Sequence, residues 1–174
     1  MKRGIQLLGL AILFSVLSCR SPDEQRALHI GRIEVAAQNY GVFLPKVDQV
    51  DLFAFGRGAT NSGQKAFQVS YAKGERFDVT NHITLTGEGA ESFAEKWRKL
   101  RFYWGDASLC YEPGFGMRFS RNSKILFETA VCLTCSDFCL PTKGGPALCG
   151  FESRSPRTAA FSNAVAEIFS VPAP

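Results

Sequence analysis

The chain is poor in the residue patterns that carry most enzyme chemistry. It has two histidines, His29 and His82. Neither stands at ligand spacing from a cysteine, so both read as ordinary polar residues. No Gly-x-Ser-x-Gly elbow occurs to seat a nucleophilic serine. Gly56-Arg57-Gly58 and Gly114-Phe115-Gly116 lack the third glycine and the strand-to-helix setting of a phosphate cradle; Gly114 and Gly116 read instead as room for a bulge. Carboxylates are scattered, with no pair that points to glycoside hydrolysis. Asp78 and His82 are four apart and would form an acid–base pair on a helix, but Val79, Thr80 and Ile83 around them favour a strand or loop. There is no internal repeat, low-complexity tract or long central linker. One-sided charge is missing too: the net balance is +4. The densest basic stretch, Lys96, Arg98, Lys99 and Arg101, falls on a predicted helix with apolar residues between, which reads as a solvated face or a contact for anionic headgroups. Nucleic acid needs a clustered basic footprint and is not an expected partner.

What the sequence does have starts at its N-terminus. Lys2 and Arg3 are followed by an apolar run from Ile5 to Val16, broken only by Gln6, Gly9 and Ser15, and then by Val16-Leu17-Ser18-Cys19. This order of basic, apolar and small residues reads as an export signal, and the run is too short to span a bilayer stably. The closing tetrad resembles the lipobox of bacterial lipoproteins. That resemblance implies that residues 1–18 are a removed signal peptide and that Cys19 becomes the first mature residue, its thiol carrying a diacylglyceryl group and its amine a third acyl chain such as palmitate. Each buried methylene contributes about 0.8 kcal/mol, and one chain holds only reversibly, so several chains make a permanent membrane anchor. Arg20 stands where lipoproteins kept in the inner membrane often carry Asp, so the resemblance implies an outer-membrane, periplasm-facing location in a Gram-negative cell. Residues 19–24, with Ser21, Pro22 and Asp23, suit a lipidated tether. Residues 25–174 have the length of a single domain. The charge of the chain left after signal removal is small, since +4 falls to +2 once Lys2 and Arg3 are removed.

Residues 24–42 place Ala27, Ile30, Ile33 and Ala36-Ala37 at helical spacing, weakened by Gly31 and ended by Gly41. Val50, Leu52 and Ala54 alternate with Asp51, Phe53 and Phe55, the pattern of a strand with neighbours on both faces. After a Gly/Asn/Ser-rich loop at 56–63, Phe67, Val69 and Tyr71 alternate with Ala66, Gln68 and Ser70, which predicts a long-looped hairpin. Thr86 can cap a helix with Glu88 and Glu91 in its first turn and Ala90, Phe93, Ala94, Trp97 and Leu100 or Arg101 along one face. Phe115, Met117 and Phe119 run to a turn at Arg121-Asn122-Ser123, and Ile125, Phe127, Thr129 and Val131 run back, a second hairpin. Ser155 and Pro156 start a last helix with Phe161, Ala164, Val165 and Ile168 on one side. Together these predict an α+β fold, an antiparallel sheet of two hairpins with two amphipathic helices on one face.

Five cysteines fall in the globular part: Cys110, Cys132, Cys135, Cys139 and Cys149. In an exported protein all are disulfide candidates, and one of an odd number must be left over. Pairing the apolar faces of the second hairpin makes partner positions sum to about 244–246 and extrapolates to Cys110 opposite residues 134–136. This favours a bridge from Cys110 to Cys135, or failing that Cys132, with Cys139–Cys149 closing the Pro141–Pro146 loop. Such bridges stabilise by roughly 2–4 kcal/mol through the unfolded state. Two alternatives stay open. Cys132-Leu133-Thr134-Cys135 has the spacing of a dithiol-exchange pair, though a helix should then follow and Cys139-Leu140-Pro141 leaves little room for one. Cys110, Cys132, Cys135 and Cys139 could instead supply four thiolates to a structural zinc, although an oxidising compartment opposes that.

The stretch Cys110-Tyr111-Glu112-Pro113, Phe119 and Val131-Cys132-Leu133-Thr134-Cys135 resembles a set of bacterial exported and lipoprotein domains. In these a Cys-x-x-Pro precedes an aromatic strand and a Cys-x-x-Cys follows the turn. The resemblance covers residues 110–135 and the two helices and implies no activity; Cys139 and Cys149 are additions to its pattern. Most of the fifteen phenylalanines fit core positions, and a Phe-lined groove would look the same. The sequence therefore favours a non-catalytic binding or envelope-structural lipoprotein, without cofactor, attached to the membrane through Cys19 and meeting a protein or ligand partner that it does not identify. The rival is a thiol-based site at Cys132 and Cys135.

Overall fold

The computed structural model describes residues 31, 35–36, 38–56, 66–68, 76–103, 112–142 and 145–170. The chain divides into two units, Met1–Arg32 and Ile33–Pro174, and every element below belongs to the second. Cys19, His29 and Cys110 lie outside the described residues.

Eight strands make the sheet: β1 (Gln49–Phe55), β2 (Ala66–Gln68), β3 (Arg76–Thr86), β4 (Phe102–Tyr103), β5 (Phe115–Arg121), β6 (Lys124–Cys132), β7 (Asp137–Thr142) and β8 (Gly145–Phe151). Their order across the sheet is β2-β3-β1-β5-β6-β7-β8-β4, and each neighbouring pair is antiparallel. Residues 35–36 and 38–40 are also helical, within the stretch read as helical spacing, and two further helices follow, α1 (Gly87–Arg98) and α2 (Pro156–Ser170). The fold is α+β, as the sequence predicts, but the sheet is larger than two hairpins.

The second hairpin forms as expected. Phe115↔Val131 through Phe119↔Phe127 sum to 246, and a bulge after Phe119 shifts Ser120↔Ile125 and Arg121↔Lys124 to 245. Asn122 and Ser123 turn the chain with φ of 51° and 61°, the left-handed pair that matches strand twist. Asn122 N–H donates to Asp48 Oδ2 at 2.7 Å, which ties the turn to the entry of β1. The first hairpin differs from expectation. β1 pairs with β3 and β5, while the short β2 pairs only with the far side of β3. Alternation at 66–71 does signal a strand, but partner choice depends on which strand completes the buried face, and the eleven-residue β3 offers more of it.

A further hairpin, β7–β8, occupies the stretch read as a loop. Its register runs from Asp137↔Gly150 to Thr142↔Gly145 and includes Pro141↔Pro146. Prolines are tolerated there because they sit beside the hairpin tip. Phe138, Leu140, Cys149 and Phe151 are buried in the core, so packing overrides the local loop signal. The last strand, β4, pairs with β8, and the Tyr103 ring lies where a side chain at Gly150 would stand, 2.5 Å from an ideal Cβ. Only glycine admits that approach.

Of the predicted faces, α1 buries Ala90, Phe93, Ala94 and Trp97, and α2 buries Phe161, Ala164 and Val165 with Ile168 partly buried. These residues join Val50, Leu52, Met117 and Phe119 in one cluster, so both helices cover one face of the sheet. Ser155 Oγ accepts the Thr158 N–H at 3.2 Å, and Thr158 Oγ1 donates to Glu152 O, which caps α2. Thr86 precedes α1 in extended conformation but its hydroxyl makes no capping bond; Gly87 N–H goes to Asp48 O at 3.0 Å. Arg98 is not part of a solvated basic face. It donates to Leu44 O and Pro45 O and pairs with Glu91, holding residues 44–47 on α1.

Trp97 is fully buried and its ring meets Phe102, Phe119, Phe127, Phe138 and Phe161 at centroid distances of 5.0–6.1 Å. Trp97→Ala is expected to destabilise the fold by about 3–5 kcal/mol in urea unfolding. Ser155→Ala, which removes one cap, should lower stability by only about 1 kcal/mol.

Candidate functional site

Strand alternation sends every second residue to the sheet face opposite the helices. Two rows of that face carry chemistry. Register aligns Thr84, Asp51, Arg118 and Glu128 across β3, β1, β5 and β6, and beside them His82, Phe53, Gly116 and Ala130. Asp51 is the hub. Thr84 Oγ1 donates to its Oδ1 at 2.7 Å, Gln49 Nε2 to its Oδ2 at 2.8 Å, and His82 Nε2 lies 3.1 Å from Oδ1. Burial alone would push the Asp51 carboxyl up, but the hydrogen bonds from Thr84, Gln49 and His82, with the His82 charge, outweigh it and hold the group below its ordinary value.

The His82 ring stacks on Phe53 at 4.5 Å with planes 6° apart, and the Arg118 guanidinium sits 5.5 Å from the same ring centroid. Arg118 Nε also donates to Glu128 Oε2 at 3.1 Å. His82 therefore meets Asp51 across the ladder rather than Asp78 along its own strand. This pairing was missed because Asp51 is 31 positions away. The only local signal was an acid within the apolar run of β1.

The group resembles a catalytic triad in composition but not in geometry. In a triad the base stands between hydroxyl and carboxylate and takes the hydroxyl proton. Here the Thr84 hydroxyl donates its hydrogen bond to the carboxylate, and His82 presents one nitrogen, Nε2, to both Asp51 Oδ1 at 3.1 Å and Thr84 Oγ1 at 3.4 Å, so the ring does not stand between them. The arrangement orients and locks side chains.

A cleft of about 420 Å³ lies between residues 46–48 and the first half of α1, lined by Lys46, Val47, Asp48, Glu88, Glu91 and Glu95 among others. Two of its carboxylates are committed to the fold: Asp48 to the β5–β6 turn, and Glu91 to Arg98 and to Val47 N–H at 2.9 Å. Burial would raise the Glu91 carboxyl, yet the Arg98 and Val47 hydrogen bonds and the charges of Arg98 and Lys46 bring it below its ordinary value.

The cysteines are partitioned by strand parity. Cys149 stands opposite Phe138 and Cys139 opposite Leu148. Cys149 therefore points into the helix-covered core and Cys139 into the smaller cluster on the other face, and the expected Cys139–Cys149 bridge is not made. Burial, with Cys139 and Asp137 nearby, pushes the Cys149 thiol up to about 12. The ladder behind the expected Cys110–Cys135 pairing stops at Phe115↔Val131, because residues 133–136 turn the chain into β7. Cys132 precedes that turn and Cys135 lies in it, and Cys135 N–H donates to Cys132 Sγ at 3.3 Å. A strand, not a helix, follows. Among the described residues no three His, Cys, Asp or Glu side chains gather to hold a metal, so Cys132, Cys135 and Cys139 do not form such a group by themselves.

No family model, no curated protein and no solved structure matches the chain.

The Asp51 contacts set a pH dependence. A carboxylate held low contributes stability above its unfolded value near 3.8, and the contribution is lost as pH falls through the lower folded value. Asp51→Asn is expected to lower unfolding free energy by about 1–3 kcal/mol at pH 7, and the gap to wild type should shrink in urea titrations below about pH 4. A gap that does not change with pH would show that the carboxylate charge is not what the network uses.

Proposed function

We propose that this protein is a lipid-anchored extracytoplasmic binding or envelope-structural module, held to the membrane through acyl chains on Cys19 and working without a cofactor. The address rests on the segment Met1–Cys19, whose basic, apolar and small residues end on a cysteine in the lipobox arrangement. Among the described residues no helix is long and apolar enough to cross a membrane, and the proposed attachment needs none. In a Gram-negative cell Arg20 favours the outer membrane.

The observation that carries the non-catalytic reading is where the acids are spent. Asp51 is bound by three side chains, Glu91 by an arginine fork and a backbone N–H, Glu128 by Arg118, and Asp48 by the turn of the second hairpin. The bonds from Thr84 and His82 to Asp51, from Arg118 to Glu128, from Asn122 to Asp48 and from Val47 to Glu91 each join two segments of the fold, while those from Gln49 and Arg98 lie within β1 and α1. A general acid or base has to keep an oxygen for the substrate's proton, whereas these carboxylates accept hydrogen bonds from the scaffold. That is the chemistry of a rigid module presenting a surface at a fixed place.

The test is the chemical state of residue 19. In a bacterium with lipoprotein processing, the full-length gene product should be recovered in detergent with Cys19 at its N-terminus and a mass increment matching a diacylglyceryl group and an amide-linked chain. Cys19→Ala should abolish incorporation of labelled palmitate and release the protein from membranes. Retention of residues 1–18 together with an unmodified Cys19 thiol would overturn the assignment.

A further inference from the structure

We infer that Cys132 and Cys135 form a reversible dithiol–disulfide pair, in which Cys135 meets an external disulfide and Cys132 resolves the resulting adduct. This goes beyond the binding role and does not depend on the lipid at Cys19.

Three observations carry it. The first is proximity: Cys132 Sγ lies 3.3 Å from the backbone nitrogen of Cys135, and the Cys135 Cβ is two bonds from that nitrogen. The two cysteines are thus brought to the same end of one tight turn, the proximity that a bridge between them requires. The second is the rigidity of the turn. Ser136 has φ of +57°, its N–H donates to Leu133 O at 3.3 Å, and its carbonyl accepts the Phe151 N–H at 2.8 Å. The turn is therefore fixed to β8 as well as to the strands it joins. The third is asymmetry of access: Cys132 is 2 % exposed, whereas Cys135 is half-buried.

This order is the reverse of the usual one, in which the first cysteine of the motif starts a helix and is the reactive thiol. Here the first cysteine ends β6 and is sealed in, and the second sits on the turn. The exchange balances with an external low-molecular-weight disulfide as oxidant. The Cys135 sulfur, as thiolate, attacks one sulfur of that disulfide, whose S–S bond breaks and whose other half leaves and takes up a proton. Cys132, losing its proton, then attacks the Cys135 sulfur and expels the second half. Two protein thiols become one disulfide, and one external disulfide becomes two thiols.

The full-length protein, reduced and native, is first pulsed with iodoacetamide and mapped by mass spectrometry. Cys135 should be alkylated at least about tenfold faster than Cys132 or Cys149. Oxidised glutathione should then remove two alkylatable thiols, mapped to Cys132 and Cys135, leave no glutathione on the protein, and be reversed by dithiothreitol. Cys132→Ser should retain one glutathione on Cys135, and Cys135→Ser should react at least about tenfold more slowly than wild type. Equal labelling rates, a glutathione adduct that persists on wild type, or zinc bound at one per chain that protects both thiols would each overturn the proposal. The wild-type labelling and oxidation decide it even if a variant fails to fold.

Discussion

Trp97 is the point on which the helix-covered side of the sheet is built. Its indole N–H donates to Tyr40 O at 2.8 Å, so the largest side chain of the core has its one polar atom satisfied. The remaining ring surface meets phenylalanines from β4, β5, β6, β7 and α2. The contact with Phe138 is edge-on, with planes 82° apart, a geometry in which the ring quadrupoles attract. Because one residue touches five elements, the spacing between α1 and the sheet is fixed by aromatic packing. Arg98, the next residue, ties the incoming chain at Leu44 and Pro45 to the same helix.

The opposite face is held together differently. It carries a small apolar cluster around Ala130 and Cys139 with Phe53, Phe55 and Leu148, and above it a row of ionic and ring contacts centred on Asp51 and Arg118. Charges so placed add little in bulk water but gain strength as burial lowers the local dielectric. Their net direction is visible in Asp51, where three hydrogen bonds outweigh the burial penalty. One sheet thus has a hydrophobic side that supplies most of the driving force and a polar side that fixes register, since a one-residue slip would turn Asp51 into the aromatic core.

The elements legible in the sequence are those whose determinants are local. The turn at Asn122-Ser123, the alternation on both sides of it and the caps of α2 all lie within a few residues of the structures they specify, and the register sum follows from them. Partner choice was not legible. β1 and β2 each read as strands, but nothing near residue 55 states that β3 will separate them. The β7–β8 hairpin was hidden for the opposite reason: Pro141 and Pro146 give a strong local loop signal that burial of Phe138 and Phe151 overrides. The candidate site suffered most. Asp51, His82, Arg118 and Glu128 come from four strands, and a contact of that kind exists only once the ladder is known.

The same ladder decides what the cysteines can do. Counting alone made Cys139 and Cys149 natural partners around a short loop, but residues joined across a hairpin can bridge only when they share a face. Phe138↔Cys149 puts these two on opposite sides. Cys149 is then confined to a setting where burial keeps its thiol protonated, the behaviour of a small core hydrophobe. Cys132 and Cys135 escape this rule because they are related by a turn rather than by a ladder, and a turn can bring i and i+3 together whichever way the flanking strands face. Strand parity therefore removes the Cys139–Cys149 pairing, and among the described residues Cys132 and Cys135 are brought together by a turn instead.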